Sequence, residues 1–189
     1  MKKKRILIGC EYSGVERTAF ESLGHYVMSC DILPTEIEGN HYQGDIFDIL
    51  DDGWDMLIAH PPCTRLCNSG VRWLAERNLW AEMREAANFF KRLLDADMPQ
   101  ICIENPIPHK YAVAEIGRKY DQIVQPWQHG HGETKATCYW LKGLPHLVPT
   151  KIVDGRAGRI HAMAPSAERS KLRSLSYTGI AKAMAQQWG

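Results

Sequence analysis

A thiol and a carboxyl occupy matching places in this sequence. Cys63 closes the run Leu57-Ile58-Ala59-His60-Pro61-Pro62-Cys63, and Glu104 follows Ile101-Cys102-Ile103 and precedes Asn105-Pro106. In both places an apolar run of strand character meets proline, which fixes φ and removes an N–H donor, so a ladder cannot continue. Stiff corners at the carboxyl ends of buried strands are where open α/β sheets collect their chemistry. A cysteine there becomes a nucleophile once it is a thiolate. A carboxyl among apolar neighbours is expected to have its pKa raised, which suits a proton donor. The pair therefore offers a nucleophile and an acid facing each other across a cleft. The plainer readings are a buried structural thiol for Cys63 and a surface strand-end carboxylate for Glu104. The polar run from Thr64 to Gly70 points to an exposed loop and favours the functional reading of Cys63. Thr64, Arg65 and a nearby helix N-terminus are expected to supply donors and positive charge to it. Cys67 is the weaker candidate, since no strand tip positions it.

Other residues suggest a ligand site beside this pair. Gly9-Cys10-Glu11-Tyr12-Ser13-Gly14 joins a strand to a helix, the usual place for a nucleotide-like ligand. It is neither G-x-G-x-x-G nor a P-loop, so a phosphate cradle is not expected. Asp31 ends the second strand, where an acid commonly takes the ribose hydroxyls of an adenosine-type cofactor; a loop or cap aspartate is the alternative. Asp45, after Gly44, could face an adenine amino group or equally cap the next helix. Lys135 and Thr137 alternate along one strand and share a face, either as substrate contacts or as exposed strand residues.

These residues need elements to hold them. Strands are expected at Arg5 to Gly9, Tyr26 to Cys30, Asp55 to Ala59, Gln100 to Ile103, Asp121 to Val124 and Ala136 to Leu141, the last two as a hairpin. Helical spacing runs from Gly14 to Leu23, from Leu74 to Leu94, from Tyr111 to Ile116 and from Ile180 to Trp188, with a short helix near Phe47 to Leu50. Alternating strand and helix predicts an α/β fold, a mostly parallel sheet with helices on both faces. The segment from Gly143 to Ser176 reads as irregular loop.

The 189 residues suit one domain, 1–189, with a real core. A hydrophobic content of 44% and a charged content of 24% are ordinary for a soluble globular protein, and the net charge of +1 excludes a polycation. Nucleic-acid contact would have to come from local patches such as Lys2 to Arg5, or Arg156, Arg159, Arg169, Lys171 and Arg173. No run is apolar enough to span a membrane or to form a signal-peptide core, and a cytoplasmic location is expected. The six cysteines lack the paired spacing of a zinc site, so no metal is expected.

Taken in order, the motifs resemble those of the DNA cytosine-5 methyltransferases. Tyr12-Ser13-Gly14 is similar to the family's Phe-Ser-Gly cofactor loop, and Asp31 to its ribose-binding acid. Gly44-Asp45-Ile46 matches its Gly-Asp-Ile motif, Pro61-Pro62-Cys63 its Pro-Pro-Cys nucleophile, and Glu104-Asn105 its Glu-Asn-Val. Glu133 to Thr137 stands where the family has Gln-x-Arg-x-Arg, and Thr178-Gly179-Ile180-Ala181 opens a final helix as the last motif does. The resemblance implies a Rossmann-like fold and S-adenosylmethionine as cofactor, held by Glu11, Tyr12, Ser13, Gly14, Asp31, Ile32, Asp45, Ile46 and Pro61. It implies substrate contacts at Pro62, Asn105, Lys135 and Thr137. It also implies catalysis by Cys63, which adds to carbon six of cytosine, and Glu104, which protonates or hydrogen-bonds the ring nitrogen. A duplex substrate would need its base flipped out. The chain departs from the family at Glu16-Arg17, where the family has Gly-Gly, and at Lys135 and Thr137, which lack the arginine fork. The family's target-recognition domain has no room between Gly143 and Ser176, so the chain resembles a compact, bacteriophage-type form. The implied partner is DNA, duplex or single-stranded, or a free cytosine nucleotide, with homodimerisation open. A different donor and a non-catalytic DNA-binding protein are the competing readings.

Overall fold

The computed structural model describes residues 2–164, 166, 173 and 176–189. Arg169 and Lys171, two of the candidate basic contacts, lie outside these described residues.

Three nearly continuous apolar runs make the centre of one sheet. They are β1 (Arg5–Gly9), β4 (Met56–Ala59) and β5 (Gln100–Pro106). Strands buried on both faces read this way because both sets of alternating side chains are covered. β1 pairs in parallel with β2 (Tyr26–Asp31) and β4, and β4 pairs in parallel with β5. A short β3 (His41–Gln43) extends the parallel part beyond β2. At the other side β7 (Thr137–Lys142) runs antiparallel between β5 and β6 (Gln122–Val124). The resulting order is β3-β2-β1-β4-β5-β7-β6.

Alternation along the strands divides the core in two. Leu7, Leu57, Ile101 and Ile103 face α3 (Trp80–Leu94) and α4 (Lys110–Ile116), meeting Phe90, Leu93, Ala112 and Ile116. Ile6, Ile8, Met56 and Ile58 face α1 (Val15–Glu21) and the last helix, α6 (Thr178–Trp188), meeting Phe20, Met184 and Trp188. The expected mostly parallel α/β sheet with helices on both faces is therefore present.

The structure departs from the sequence reading in three places. The helix expected over Leu74 to Leu94 is broken. α2 (Arg72–Glu76) stops at Arg77, Asn78 takes a left-handed φ of 51°, and α3 starts afresh at Trp80. Asparagine tolerates that conformation better than most residues, so it can turn the chain without a glycine. β3 was not foreseen, since its three polar residues carry no apolar alternation. β5 does not end at Ile103. It runs on through Glu104 and Asn105, because β7 pairs with it to Pro106 after β4 has ended at Ala59.

Among the described residues, the stretch from 143 to 164 is mostly irregular and includes a short helix, α5 (Arg159–Ala162). It is fastened by bridges from Lys151 to His129 and from Ala157 to Glu133. No helix among the described residues is long and apolar enough to cross a membrane.

Candidate active site

β1 leads into a helix on one face of the sheet and β4 leads towards helices on the other. Their carboxyl ends therefore part, and a crevice opens between them, the usual ligand position in such sheets. A pocket of about 300 Å³ lies there. Glu11, Tyr12 and Ser13 line it from the loop after β1, and His60, Pro61, Pro62 and Cys63 from the end of β4. Glu104 enters from β5, Thr137 from the first residue of β7, and Arg173 and Ser176 from the chain before α6; Lys135, expected on the same strand as Thr137, lines the pocket from the loop before β7. The thiol and the carboxyl singled out in the sequence thus share one cavity.

The turn after the double proline sets the thiol. The Cys63 carbonyl accepts from the N–H groups of Leu66 and Cys67, each at 2.9 Å, which brings the Cys67 thiol back against that of Cys63. Here the expectation for the local charges is corrected. Arg65 does not serve Cys63, because its Nε is bound to Glu82 at 2.7 Å. The donors collect on Cys67 instead. Its sulfur lies 3.2 Å from Ser69 Oγ and takes backbone N–H groups of Ser69 and Gly70. The hydrogen bond from Cys63, then those from Ser69 and Gly70, bring the Cys67 thiol down against the opposing effect of burial. The same thiol–thiol bond, followed by burial, pushes Cys63 up. The donors around Cys67 therefore favour negative charge on its sulfur.

Glu104 also differs from expectation. Burial acts to raise its pKa, but His60 and then Lys135 outweigh that, and the carboxyl is held below its usual value. The His60 Nδ1 lies 3.0 Å from Glu104 Oε1, and its Nε2 lies 3.6 Å from Glu16 Oε1. Burial pulls His60 down, yet Glu104 and Glu16 lift it to about 9. Neither His60 nor Glu16 was named as a site residue. A single histidine before two prolines carries no motif, and Glu16 reaches it only through the packing of α1 against the sheet.

The remaining expected cofactor residues divide into two groups. Glu11 is 4% exposed, and its Oε1 accepts from Ser13 Oγ and from Val15 N–H at 3.3 Å. Its Oε2 is buried without a partner. Cys10, beside it, adopts a left-handed φ of 56°, a conformation uncommon outside glycine. Gly14 is also left-handed, at 73°, where a side chain would meet Arg17 and Ile37. Asp31 and Asp45 lie near Cys10, since both help burial push that thiol up to about 12. They do not line the pocket, however. Asp31 accepts from the N–H of Leu33 at 2.9 Å, and Asp45 caps the next turn through Phe47 N–H at 3.0 Å. Ile32 is 76% exposed at the strand end, whereas Ile46 is in the core, its side chain filling the space beside Gly9. Asn105 faces away from the cavity, almost wholly buried, with its amide bonded to the Pro106 carbonyl.

No protein-family model matches the chain. Among solved structures it is similar to the Entamoeba histolytica methyltransferase EhMeth, with 18% identity and a TM-score of 0.51, over 81% of this chain and 58% of that one. It also aligns with the S. pombe Dnmt2 methyltransferase, with 16% identity, a TM-score of 0.49, and 77% and 51% of the two chains covered. A prophage-encoded E. coli protein assigned as a DNA modification methyltransferase gives 14% identity and a TM-score of 0.48, over 79% and 51%. The chain spans only about half the length of these proteins. The fold is the Rossmann-like α/β fold of the Entamoeba methyltransferase. In sequence, 81 residues, 42% of this chain, are 30% identical to a stretch of the valine–tRNA ligase of Laribacter hongkongensis (strain HLHK9), covering 9% of that protein. So small a share of the ligase carries no activity across.

Proposed function

We propose that the protein transfers a methyl group from S-adenosylmethionine to carbon five of cytosine in DNA, through a covalent adduct with Cys63. The observation that carries this reading is the convergence of Cys63 and Glu104 in one cavity with the loop Glu11 to Ser13. A cavity that only bound DNA would need no thiol there.

The cofactor fits the residues at hand. A buried carboxylate oxygen without a partner, on Glu11, suits an ammonium group. Ser13 and Val15 fix the other oxygen, so the acceptor is already aimed. Asp31 and Ile32 at the end of β2 would serve the ribose and adenine, with Asp45 beyond them. When bound, the cofactor supplies an electrophilic methyl group.

The protein's residues do the rest. Cytosine is too electron-poor at carbon five to attack a methyl group unaided. Cys63 adds to carbon six as its proton passes to the neighbouring Cys67 thiolate; once carbon five carries the methyl group, a base takes the carbon-five proton and the bond from Cys63 to carbon six breaks, which restores the ring. Glu104 faces the ring nitrogen and amino group, where negative charge and a proton must be managed. Pro62 walls the cavity, and Lys135, Thr137 and Arg173 line its far side. Arg173 and Lys135 offer positive charge to a phosphate, standing in for a recognition domain. The single domain proposed for residues 1–189 would then have loose or short-site specificity.

The deciding experiment is label transfer from tritiated S-adenosylmethionine to mixed-sequence duplex DNA, with Cys63→Ala in parallel. Transfer by the wild type and none by the variant is expected. Equal transfer by both would overturn the covalent mechanism, and none by either would overturn the DNA methyltransferase reading.

A further inference from the structure

His60 is neither of the expected catalytic residues, yet it lines the same cavity and lies between the carboxylates of Glu16 and Glu104. Its backbone N–H is bound to the Gly9 carbonyl at 3.0 Å, and two prolines follow it. Its ring nitrogens face the two acids unequally: Nδ1 is at hydrogen-bond distance, 3.0 Å, from Glu104 on β5, and Nε2 is at ion-pair distance, 3.6 Å, from Glu16 on α1, beyond a hydrogen bond. Only the doubly protonated ring has an N–H for each of these carboxylates. The neutral ring would turn a lone pair on one of them.

We propose that His60 is a positioning residue, an imidazolium clamped between Glu16 and Glu104 that fixes Glu104 as an ionised, aimed hydrogen-bond acceptor in the pocket. As a statement about catalysis this rests on the proposed cytosine chemistry; as a statement about the charge state of the site it stands apart from it.

The surroundings support a cation at this point. Glu16 is 2% exposed and one of its oxygens is buried without a partner. Glu11, on the loop after β1, adds a third carboxylate within reach of the ring. Cys102 on β5 and Tyr139 on β7 lie beneath the cluster, and burial pushes both up, so they stay neutral. Lys135 stands beside Glu104 rather than His60, and Ser176 is bonded to Glu16. Three acids therefore surround one imidazole; burial pushes the Glu16 carboxyl up, and the charge of His60 draws it part of the way back down, so the cation favours the ionised form of its neighbours.

The clamp has a consequence for selectivity. An ionised carboxylate accepts from the amino group of cytosine and repels the carbonyl that uracil and thymine present in its place. Cytosine's ring nitrogen is itself an acceptor, so it can face the carboxylate only with a proton shared between them. The clamp also links the helix after the cofactor loop to the base-facing carboxylate through a single side chain.

Ring-labelled histidine followed by NMR across a pH series tests the clamp directly, with His60→Asn identifying the signal. The His60 ring is expected to stay charged to about pH 9 and to titrate at least about one unit lower in Glu104→Gln, with a smaller drop in Glu16→Gln. A ring that titrates at or below 6.5, or that ignores Glu104→Gln, overturns the clamp. In the methyl-transfer assay His60→Asn should lower kcat roughly 10- to 100-fold and leave KM for DNA within about twofold. The acid limb of its pH profile should move upward as Glu104 loses its cation. A profile that superimposes on the wild type overturns the positioning role. Absence of transfer by the wild type, with His60 still titrating near 9, would sink the cytosine reading and leave the clamp standing.

Discussion

The two banks of the pocket use their carboxylates differently. On the bank made by β4 and β5, Glu104 is tied to His60, and Cys63 to Cys67, so the thiol and the carboxyl are held by side chains, although His60 Nε2 and Asn105 Oδ1 have no hydrogen-bond partner among the described residues. On the bank made by the loop after β1 and the ends of β2 and β3, Asp31 and Asp45 accept from the backbone of their own turns. Glu11, like Glu16 on the helix that follows, keeps a buried oxygen with nothing to accept from among the described residues. A buried polar atom left without a partner costs free energy, and at Glu11 that atom is the one assigned to the ammonium group under the proposed function. One bank is thus assembled before anything binds, and the other waits to be finished.

The largest expected effect falls on the assembled bank. Cys63→Ser should cut methyl transfer by about 10⁴-fold or more and abolish any covalent complex with 5-fluorocytosine DNA, seen as a band of retarded mobility. Glu104→Gln should follow, with a loss of about 10²- to 10⁴-fold in kcat, read from initial rates. On the waiting bank, Glu11→Gln should weaken S-adenosylmethionine binding by roughly 10- to 100-fold in calorimetry, since one charge-assisted bond is lost. Asp31→Asn should change that affinity by only about fivefold or less, because its carboxylate already serves a turn; a larger loss than in Glu11→Gln would invert the contrast between the banks. The smallest effect concerns stability. The pKa of His60 is raised on folding, so its contribution is complete below about 6.5 and disappears as pH rises through about 9. The gap in Tm between wild type and His60→Asn should therefore be wider at pH 6 than at pH 10.

Much of this arrangement was legible in residue order. The runs Ile6 to Ile8, Leu57 to Ala59 and Ile101 to Ile103 could only be buried strands, and prolines after two of them marked where the chain had to leave the sheet. That sufficed to place Cys63 and Glu104 at one edge. What could not be read were relations made by tertiary packing. Glu104 looked like a carboxyl raised by apolar neighbours because those neighbours are adjacent in sequence; the histidine that lowers it lies 44 residues away. Cys67 looked unpositioned because the tight turn on the Cys63 carbonyl leaves no mark in composition. The break at Asn78 was hidden within an otherwise apolar helical rhythm, since asparagine only sometimes turns left-handed.

The uneven lengths of β4 and β5 have a mechanical consequence. β4 stops at Ala59, opposite Ile103, and two prolines soon follow, unable to lend a donor to any further rung. β5 keeps going, zipped to β7 on its far side through Pro106. The sheet therefore forks at this point like a half-closed seam, and the prolines act as the stop that keeps it from closing. On this side the mouth of the cavity is held apart by the stiffness of the chain itself, where β4 has ended and β5 continues.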